Sequence, residues 1–315
     1  MTLEQLRIFV AVAERGHMTR AAESLGMTQS AVSAAVRALE NQYGTQLFDR
    51  IGRGIELTEI GQRFLPEARA VLNRAATARS SLADLSETTR GALSIAASQT
   101  IASYWLPRRL TAFHAAYPDV RLHISIGNTR QVEQAVADGS ADVGLVEGRT
   151  QHPALSRLHV DDDRLVLVVS SAHPMPPGCA DGKPDLRTLS WVIREEGSGT
   201  RDILEDLARR EGIAFEDLRI FLVLPSNEAV REAVEAGAGA TIVSEHVVVR
   251  DIAAGALVPI AIDLPQRDFA LVRHEGRYES AAQRALVEML VPGEAELSAS
   301  RPALRSKKPR LESRG

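Results

Sequence analysis

Between residues 18 and 40 the chain reads MTRAAESLGMTQSAVSAAVRALE, in which the tetrapeptide LGMT separates two short runs of helical periodicity. In the second run, apolar residues from Val32 to Leu39 recur at the 3.6-residue spacing of one helix face. Gly26 suits the end of the first helix, and Thr28 suits the N-cap of the next. Together with an apolar-periodic run before them, these segments predict a helix-turn-helix within three helices, at about 3–15, 19–25 and 29–42.

The outward face of the predicted third helix is small and polar. Short side chains let a helix approach base edges in a DNA groove, Gln29 can pair with adenine, and the helix N-terminus can hold a phosphate. A three-helix bundle with an alanine-rich surface is the alternative that this pattern alone leaves open. The residues opposite the apolar face, none of them acidic, are Ser30, Ser33, Ala34, Arg37 and Asn41.

A glycine-rich segment, QLFDRIGRGIELT, follows the third helix and predicts a short β-hairpin. Gly52 and Gly54 allow the bend, and Arg50 and Arg53 lie at its edge. A basic hairpin beside a helix-turn-helix is typical of a wing that contacts phosphates or the minor groove. The DNA-contacting residues that we expect from helix and hairpin are Thr28, Gln29, Ser30, Ser33, Arg37, Arg50 and Arg53.

A long amphipathic helix is predicted over residues 59–89. Its apolar stripe is too long for the surface of a small domain, so it can pair with a copy of itself; packing within one chain is the alternative. Pro66 falls early in the helix, where a first-turn or kinked position tolerates proline. The stripe consists of Ile60, Phe64, Val71, Leu72, Ala75, Leu82 and Leu85.

From Gly91 onward the pattern changes to short β-branched runs that alternate with helical stretches. Runs such as VRLHISIG, RLVLVVSS and GATIVSE predict strands, and most of the predicted strands precede a helical stretch. This alternation indicates a parallel or mixed α/β sheet, and about 200 residues of it can form two sub-domains.

The segment from Phe9 to Gly61 resembles the winged helix-turn-helix of LysR-type transcriptional regulators. The resemblance extends to about Leu290, and it implies a sequence-specific DNA-binding regulator controlled by a small-molecule effector. The matching residues of the first segment are Ala21, Ala22, Leu25, Gln29, Ser33, Leu39, Glu40, Gly44, Leu47, Phe48, Arg50, Leu57, Thr58 and Gly61.

The fold implied by this resemblance is α/β, with an N-terminal winged helix-turn-helix, a long linker helix and two α/β sub-domains like those of a type 2 periplasmic binding protein. The effector domain has sub-domain I at about 90–161 and 266–292 and sub-domain II at about 162–265. The implied boundaries are 1–58 for the DNA-binding domain, 59–89 for the linker helix, 90–292 for the effector domain and 293–315 for a basic tail that we expect to be disordered.

The resemblance also implies partners: double-stranded operator DNA, a small-molecule effector, RNA polymerase, and further copies of the chain in a dimer and a tetramer. Ser30 stands where the family usually has proline, and Ala34 where many members have arginine or lysine. These departures shift base reading to Gln29, Ser33 and the wing. A weaker resemblance, carried by GNT, VGLVEG and REEGSGTR, is to the branch that regulates carbon fixation or inorganic sulfur metabolism.

Polar residues follow several strands of the effector region, where helix N-termini and free amides of a two-halved fold gather. Their hydroxyl, amide and backbone N–H groups suit a small anion, although Glu147 would add negative charge. The GSGT turn alone is better explained as an ordinary N-cap, and the matching strand-end residues of the other half shift the interpretation to ligand binding. The residues that we expect to bind the effector are Ser98, Gln99, Thr100, Asn128, Thr129, Glu147, Gly197, Ser198, Gly199 and Thr200.

Motifs of catalysis are missing from the sequence. It contains no G-x-S-x-G, H-E-x-x-H, C-x-x-C or Walker motif, and its eight histidines are scattered, so we expect no enzyme, metal or cofactor. A solute-binding protein is the competing class, but it leaves residues 1–90 without a purpose.

Charge and hydropathy bear on where in the cell the protein is located. No apolar run is long enough to span a membrane, and Glu4 and Arg7 near the start do not fit a signal peptide, so we expect a cytoplasmic protein. The net charge of −4 includes six Lys or Arg against one Glu in residues 301–315. The single cysteine, Cys179, stands in a loop-like segment, and we expect it to be structural or incidental.

Overall fold

The computed structural model describes residues 1–51, 54–83, 91–150, 152–172 and 184–291. The predictions on Arg53, Leu85, Cys179 and the tail 293–315 fall outside the described residues. The side chains of Arg50 and Leu82 are likewise not described.

Three short helices begin the fold, and each starts at a capping side chain and ends at a glycine with positive φ. They are α1 (Leu3–Arg15), α2 (Met18–Leu25) and α3 (Gln29–Tyr43). Thr28 Oγ1 accepts a hydrogen bond from the Ala31 amide at 3.2 Å, and Gly26 ends α2 at φ 65°, which confirms both predicted roles. Helix α2 begins one residue earlier than predicted because His17 Nδ1 accepts a bond from the Thr19 amide and caps it.

A hairpin and a long helix complete the N-terminal region; they are β1 (Phe48–Ile51), β2 (Gly54–Leu57) and α4 (Glu59–Ala83). Glu40 Oε1 accepts a hydrogen bond from the Leu47 amide at 2.8 Å, which fixes the hairpin to the end of α3. A Cβ atom on Gly61 would lie 2.2 Å from the Leu47 carbonyl oxygen. Only glycine therefore lets α4 start this close to the hairpin.

Phe9 on α1 is the centre of the N-terminal core. Its ring centroid lies 5.3 Å from that of Phe48 on β1 and 5.1 Å from that of Phe64 on α4. Leu65 and Leu72 of α4 join the same apolar cluster. The hairpin and the first turns of α4 are thus packed onto the helix-turn-helix as one unit.

The described residues between 91 and 291 form two five-stranded mixed sheets. In spatial order the first consists of β4 (Val120–Gly127), β3 (Gly91–Ser98), β5 (Val143–Glu147), β12 (Arg267–His274) and β6 (Leu155–Asp163). The second consists of β11 (Leu257–Ile260), β7 (Leu165–Ser170), β10 (Ala240–Ser244), β8 (Ser190–Arg194) and β9 (Arg219–Leu224). The helices between them are a π-helical turn (Ile101–Trp105), α5 (Leu106–Ala116), α6 (Thr129–Asp138), α7 (Gly199–Arg210), a 3₁₀ turn (Phe215–Asp217), α8 (Asn227–Glu235), α9 (Glu245–Ala253) and α10 (Ala281–Leu290).

We call the first sheet with α5, α6 and α10 the first half, and the second sheet with α7, α8 and α9 the second half. Each half has its own core, which includes Leu145 and Phe269 in the first and Trp191 in the second. The chain crosses between the halves from β6 to β7 and again from β11 to β12. Asp163 and Arg267, the last residue of β6 and the first of β12, therefore lie at the junction of the halves.

Candidate functional site

The outer face of α3 is the first candidate site. Thr28, Gln29, Ser30 and Arg37 are all exposed there, as predicted. Within the part of the chain that the structure describes, Arg37 makes no hydrogen bond or ion pair. The exposed positions of the helix, which include no carboxylate, are Gln29, Ser30, Ala31, Ala34, Arg37, Ala38, Asn41, Gln42 and Tyr43.

Ser33 differs from the prediction, because its side chain points inward and the residue is only 9% exposed. Val36 follows almost one turn later and is also buried. Ser33 therefore belongs to the buried face of α3, at its edge. Its predicted outward orientation is wrong.

The hairpin β1–β2, which is the predicted wing, is held at the C-terminal end of α1 as well as at that of α3. The Ile55 amide donates to the Gly16 carbonyl at 3.2 Å, and Arg50 pairs with Ile55 across the hairpin. This anchoring places the backbone of the hairpin beside the C-terminal end of α1.

The second candidate site is the buried polar contact between the halves, which we call the cleft, and the predicted effector-binding residues lie there at strand ends and helix starts. Asn128 caps α6 in the first half, and Ser198 caps α7 in the second. The two helix starts meet, because the Arg130 amide donates to the Gly197 carbonyl at 3.2 Å. A Cβ atom on Gly199 would lie 2.8 Å from the Glu147 carbonyl oxygen, so this contact between the halves requires glycine.

An arginine that the sequence did not single out forms the centre of the cleft. The side chain of Arg267 is 0% exposed and pairs with Asp163, whose Oδ2 accepts from Nε at 2.7 Å. Its Nη1 donates to Glu147 Oε2 at 2.9 Å and to Thr200 Oγ1 at 3.0 Å. Burial raises the pKa of Asp163, although the charge of Arg267 acts in the opposite direction.

Asn227, at the start of α8, forms a second buried group with a second arginine. Its Nδ2 donates to Thr100 Oγ1 at 2.9 Å, and its amide donates to Gln99 Oε1 at 2.8 Å. Arg194 donates to Asn227 Oδ1 at 2.7 Å and pairs with Glu195. Burial acts to raise the pKa of Glu195, but the charge and hydrogen bonds of Arg194, together with a backbone hydrogen bond and the one from Asn128, hold the pKa below the ordinary value.

The structure therefore brings nearly all of the predicted effector-binding residues to one cleft and adds residues that sequence reasoning missed. An arginine at the border of an otherwise apolar strand, as in WVIR and RDFALV, is the signal that could have found two of them. The cleft has an excess of negative charge, because two guanidinium groups face three carboxylates. The missed residues are Asp163, Arg194, Glu195, Asn227, Ser244 and Arg267.

Among the described residues, apolar side chains are exposed on α4 and on two edge strands. On α4, Ile60 is 54% exposed and Val71 is 42% exposed, whereas Phe64 and Leu72 of the predicted stripe pack inside their own chain. On the edge strands β4 and β9, Ile126 is 63% exposed and Phe221 is 60% exposed. No helix among the described residues has the length and apolar character needed to cross a membrane.

A winged helix-turn-helix joined through a long helix to a two-halved α/β domain with a polar cleft defines a DNA-binding regulator that carries its own effector-binding domain. Residues 3–62 match the family model described as bacterial regulatory helix-turn-helix protein, lysR family. Residues 86–294 match the model described as LysR substrate binding domain. The chain belongs to the LysR family of transcriptional regulators.

Known proteins can be aligned with this chain over nearly its whole length. The HTH-type transcriptional regulator YeiE of Escherichia coli K12 is 33% identical over 294 residues, which cover 93% of this chain and 98% of YeiE. A probable RuBisCO transcriptional regulator of Trichormus variabilis is 32% identical over 296 residues, which cover 92% of this chain and 88% of the relative. The crystal structure of full-length CbnR complexed with its target DNA superposes with a TM-score of 0.64 at 25% identity, covering 92% of this chain and 99% of CbnR.

Proposed function

We propose that this regulator recognises its operator through the outer face of α3. Gln29 and Ser30 contact base edges, and Arg37, Arg50 and Arg53 contact phosphates. The observation that carries this proposal is the carboxylate-free exposed face with an arginine that has no partner within the described residues. A carboxylate partner would neutralise the positive charge of Arg37, which is then no longer available to a DNA phosphate.

We propose further that the protein assembles as a dimer of dimers. A tetramer built from two-fold contacts needs two separate self-complementary surfaces on each chain. The exposed side of α4, with Ile60 and Val71, supplies one, and the edge strands with Ile126 and Phe221 supply the other. Two recognition helices in a dimer then contact half-sites about one helical turn, or a multiple of it, apart.

The effector, in this proposal, is a small anion bound between the halves. Both halves supply buried hydroxyl and amide groups, and the starts of α6, α7 and α8 converge on the same cleft with their partial positive charges. The ligand changes the contact between the halves, and so the separation of the two helix-turn-helix units, only if it binds one arrangement more tightly than the other.

The names of the relatives support carbon-fixation genes as the target, in preference to genes of inorganic sulfur metabolism. The chain crosses between the halves after Asp163 and again between Ile260 and Arg267, which supports sub-domain borders within two residues of those proposed. RNA polymerase as a partner and a cytoplasmic location follow from the role of a transcriptional regulator, and both remain predictions.

The DNA proposal is tested by selection from a random duplex library. We expect enriched duplexes to carry two related half-sites about ten base pairs, or a multiple of ten, apart. Enrichment without any shared sequence would overturn it.

The effector proposal is tested by thermal unfolding with a panel of small carboxylates, phosphorylated sugars and sulfur oxyanions. A compound at about 100 times its dissociation constant stabilises the native state by about 2.7 kcal/mol. We expect this gain to vanish in Thr100→Val and to weaken in Ser198→Ala. An equal gain in Thr100→Val would place the binding site elsewhere.

A further inference from the structure

The carboxylate of Glu147 is held in the cleft as a bound carboxylate ligand would be held. Ser98 Oγ donates to Glu147 Oε1 at 2.9 Å, and Arg267 Nη1 donates to Glu147 Oε2 at 2.9 Å. Each carboxylate oxygen thus receives one hydrogen bond, and one of the donors is charged. We call Ser98 Oγ and Arg267 Nη1 the donor pair.

The guanidinium group of Arg267 does not depend on Glu147 for its position. Nε and Nη2 of Arg267 are held by Asp163, and Asp163 Oδ1 in turn accepts from Ser244 Oγ at 2.5 Å. The remaining group, Nη1, also donates to Thr200 Oγ1. Without Glu147, the guanidinium would therefore remain in place with one hydrogen-bonding edge directed at the same point.

Glu147 is also the less firmly bound of the two carboxylates that share Arg267. Asp163 binds two guanidinium nitrogens and a hydroxyl group, whereas the Glu147 side chain binds one nitrogen and one hydroxyl group. One buried guanidinium does not neutralise two buried carboxylates, so their mutual repulsion disfavours the arrangement with both charged. Exchange of Glu147 for another anion leaves the Arg267–Asp163 pair intact.

We propose that Glu147 is an internal substitute for the effector, and that the donor pair binds a carboxylate or a similar small oxyanion when Glu147 withdraws. This inference rests on the proposed effector function and names its ligand class and its competitor. Arg267 also bonds to Thr200 of the second half, so the exchange occurs at a contact between the halves. The effector must therefore compete with Glu147 for the donor pair, so removal of Glu147 increases the affinity of the protein for free carboxylates.

The test is rescue of Glu147→Ala by formate, measured as the midpoint of thermal unfolding with sodium chloride as the matched salt. We expect the variant to unfold at a lower temperature than the wild type. Formate should raise this midpoint in a saturable way, by about 3 °C at ten times the half-saturating concentration. The wild type should show no saturable response over the same range.

Glu147→Ala/Ser98→Ala is the matched control, because it lacks the same carboxylate and one member of the donor pair. We expect a half-saturating formate concentration about tenfold higher than in Glu147→Ala. Equal formate responses in the wild type and Glu147→Ala, or in the single and double variants, would overturn the proposal.

Glu147→Gln decides the matter if Glu147→Ala does not fold in either salt. The neutral amide fills the space but is bound more weakly by Arg267 than a carboxylate, so formate should compete with it and give a saturable shift absent from the wild type. A response identical to that of the wild type would contradict the inference. The compound panel on the wild type separates the two proposals. A stabilising compound with no formate response in either variant overturns only the role of Glu147, and a panel without any stabilising compound overturns the proposed effector function.

Discussion

Asn227 and Thr100 join the two halves of the effector domain through a buried hydrogen bond of 2.9 Å. Thr100 precedes the π-helical turn of the first half, and Asn227 is the first residue of α8 in the second. Because Asn227 also accepts from Arg194, its removal leaves two buried polar groups without this partner. The contact between the halves is therefore specific, and it can be weakened by a single substitution.

Asn227→Ala should lower the free energy of unfolding by about 1–3 kcal/mol, because the unsatisfied groups stay buried. Urea unfolding followed by circular dichroism measures this change. Gln134→Ala removes an exposed amide from α6 and is the control, with an expected change within about 0.5 kcal/mol. Equal effects of the two substitutions would show that the Asn227 bond contributes nothing.

Substitutions on α3 should separate base recognition from phosphate binding. Gln29→Ala should reduce the discrimination among operator variants, whereas Arg37→Ala should weaken binding to every duplex and lower the salt slope by about one. Competition binding at several salt concentrations distinguishes the two. If Arg37→Ala left the salt slope unchanged, its proposed phosphate contact would be refuted.

The two sides of α4 should respond differently to a charge. Val71→Asp places a carboxylate on the exposed side, so we expect loss of the α4 contact and a reduced mass by light scattering, while circular dichroism still shows a folded chain. Leu72→Asp instead buries a charge in the N-terminal core and should unfold the helix-turn-helix unit. An unchanged mass for Val71→Asp would exclude this side of α4 from the interface.

Asp142 should make stability depend on pH. Burial raises its pKa in the folded state, although the Ser94 amide and Arg277 act to lower it. The stabilisation from its protonated form is fully present below the unfolded pKa of about 3.9 and is lost as the pH rises through the raised folded pKa. Asp142→Asn keeps an acceptor for the Ser94 amide and should therefore gain stability relative to the wild type as the pH rises above about 4. Urea unfolding at a series of pH values measures this difference, and parallel pH profiles for the two proteins would contradict the assignment.

The sequence predicted what depends on neighbouring residues. Thr28 and Gly26 bond to backbone groups within a few positions, so the local sequence predicted their roles. The positions of Ser98, Asn128 and Ser198, after a strand or at the start of a helix, likewise depend on nearby residues. The α/β alternation predicted the fold class in the same way.

Features that depend on distant contacts were not predictable. Arg267 and Asp163 are 104 positions apart, and Asn227 and Thr100 are 127 apart, so no spacing marks them as partners. Helical periodicity likewise shows which apolar residues lie on one side of a helix, but not whether they pack within the same chain or stay exposed. For this reason the stripe of α4 divides between Leu72, which is packed internally, and Val71, which is exposed. Ser33 was misassigned for a related reason, because the border of a helix face is set by the packing of its neighbours.

Competition binding between a selected operator and a scrambled duplex of the same length and composition tests the central claim most directly. At about physiological salt, a regulator that reads bases through α3 should bind the operator at least about 10³-fold more tightly than the scrambled duplex. The preference should fall in Gln29→Ala and persist in Arg37→Ala. Equal affinity of the wild-type protein for the two duplexes would contradict the account.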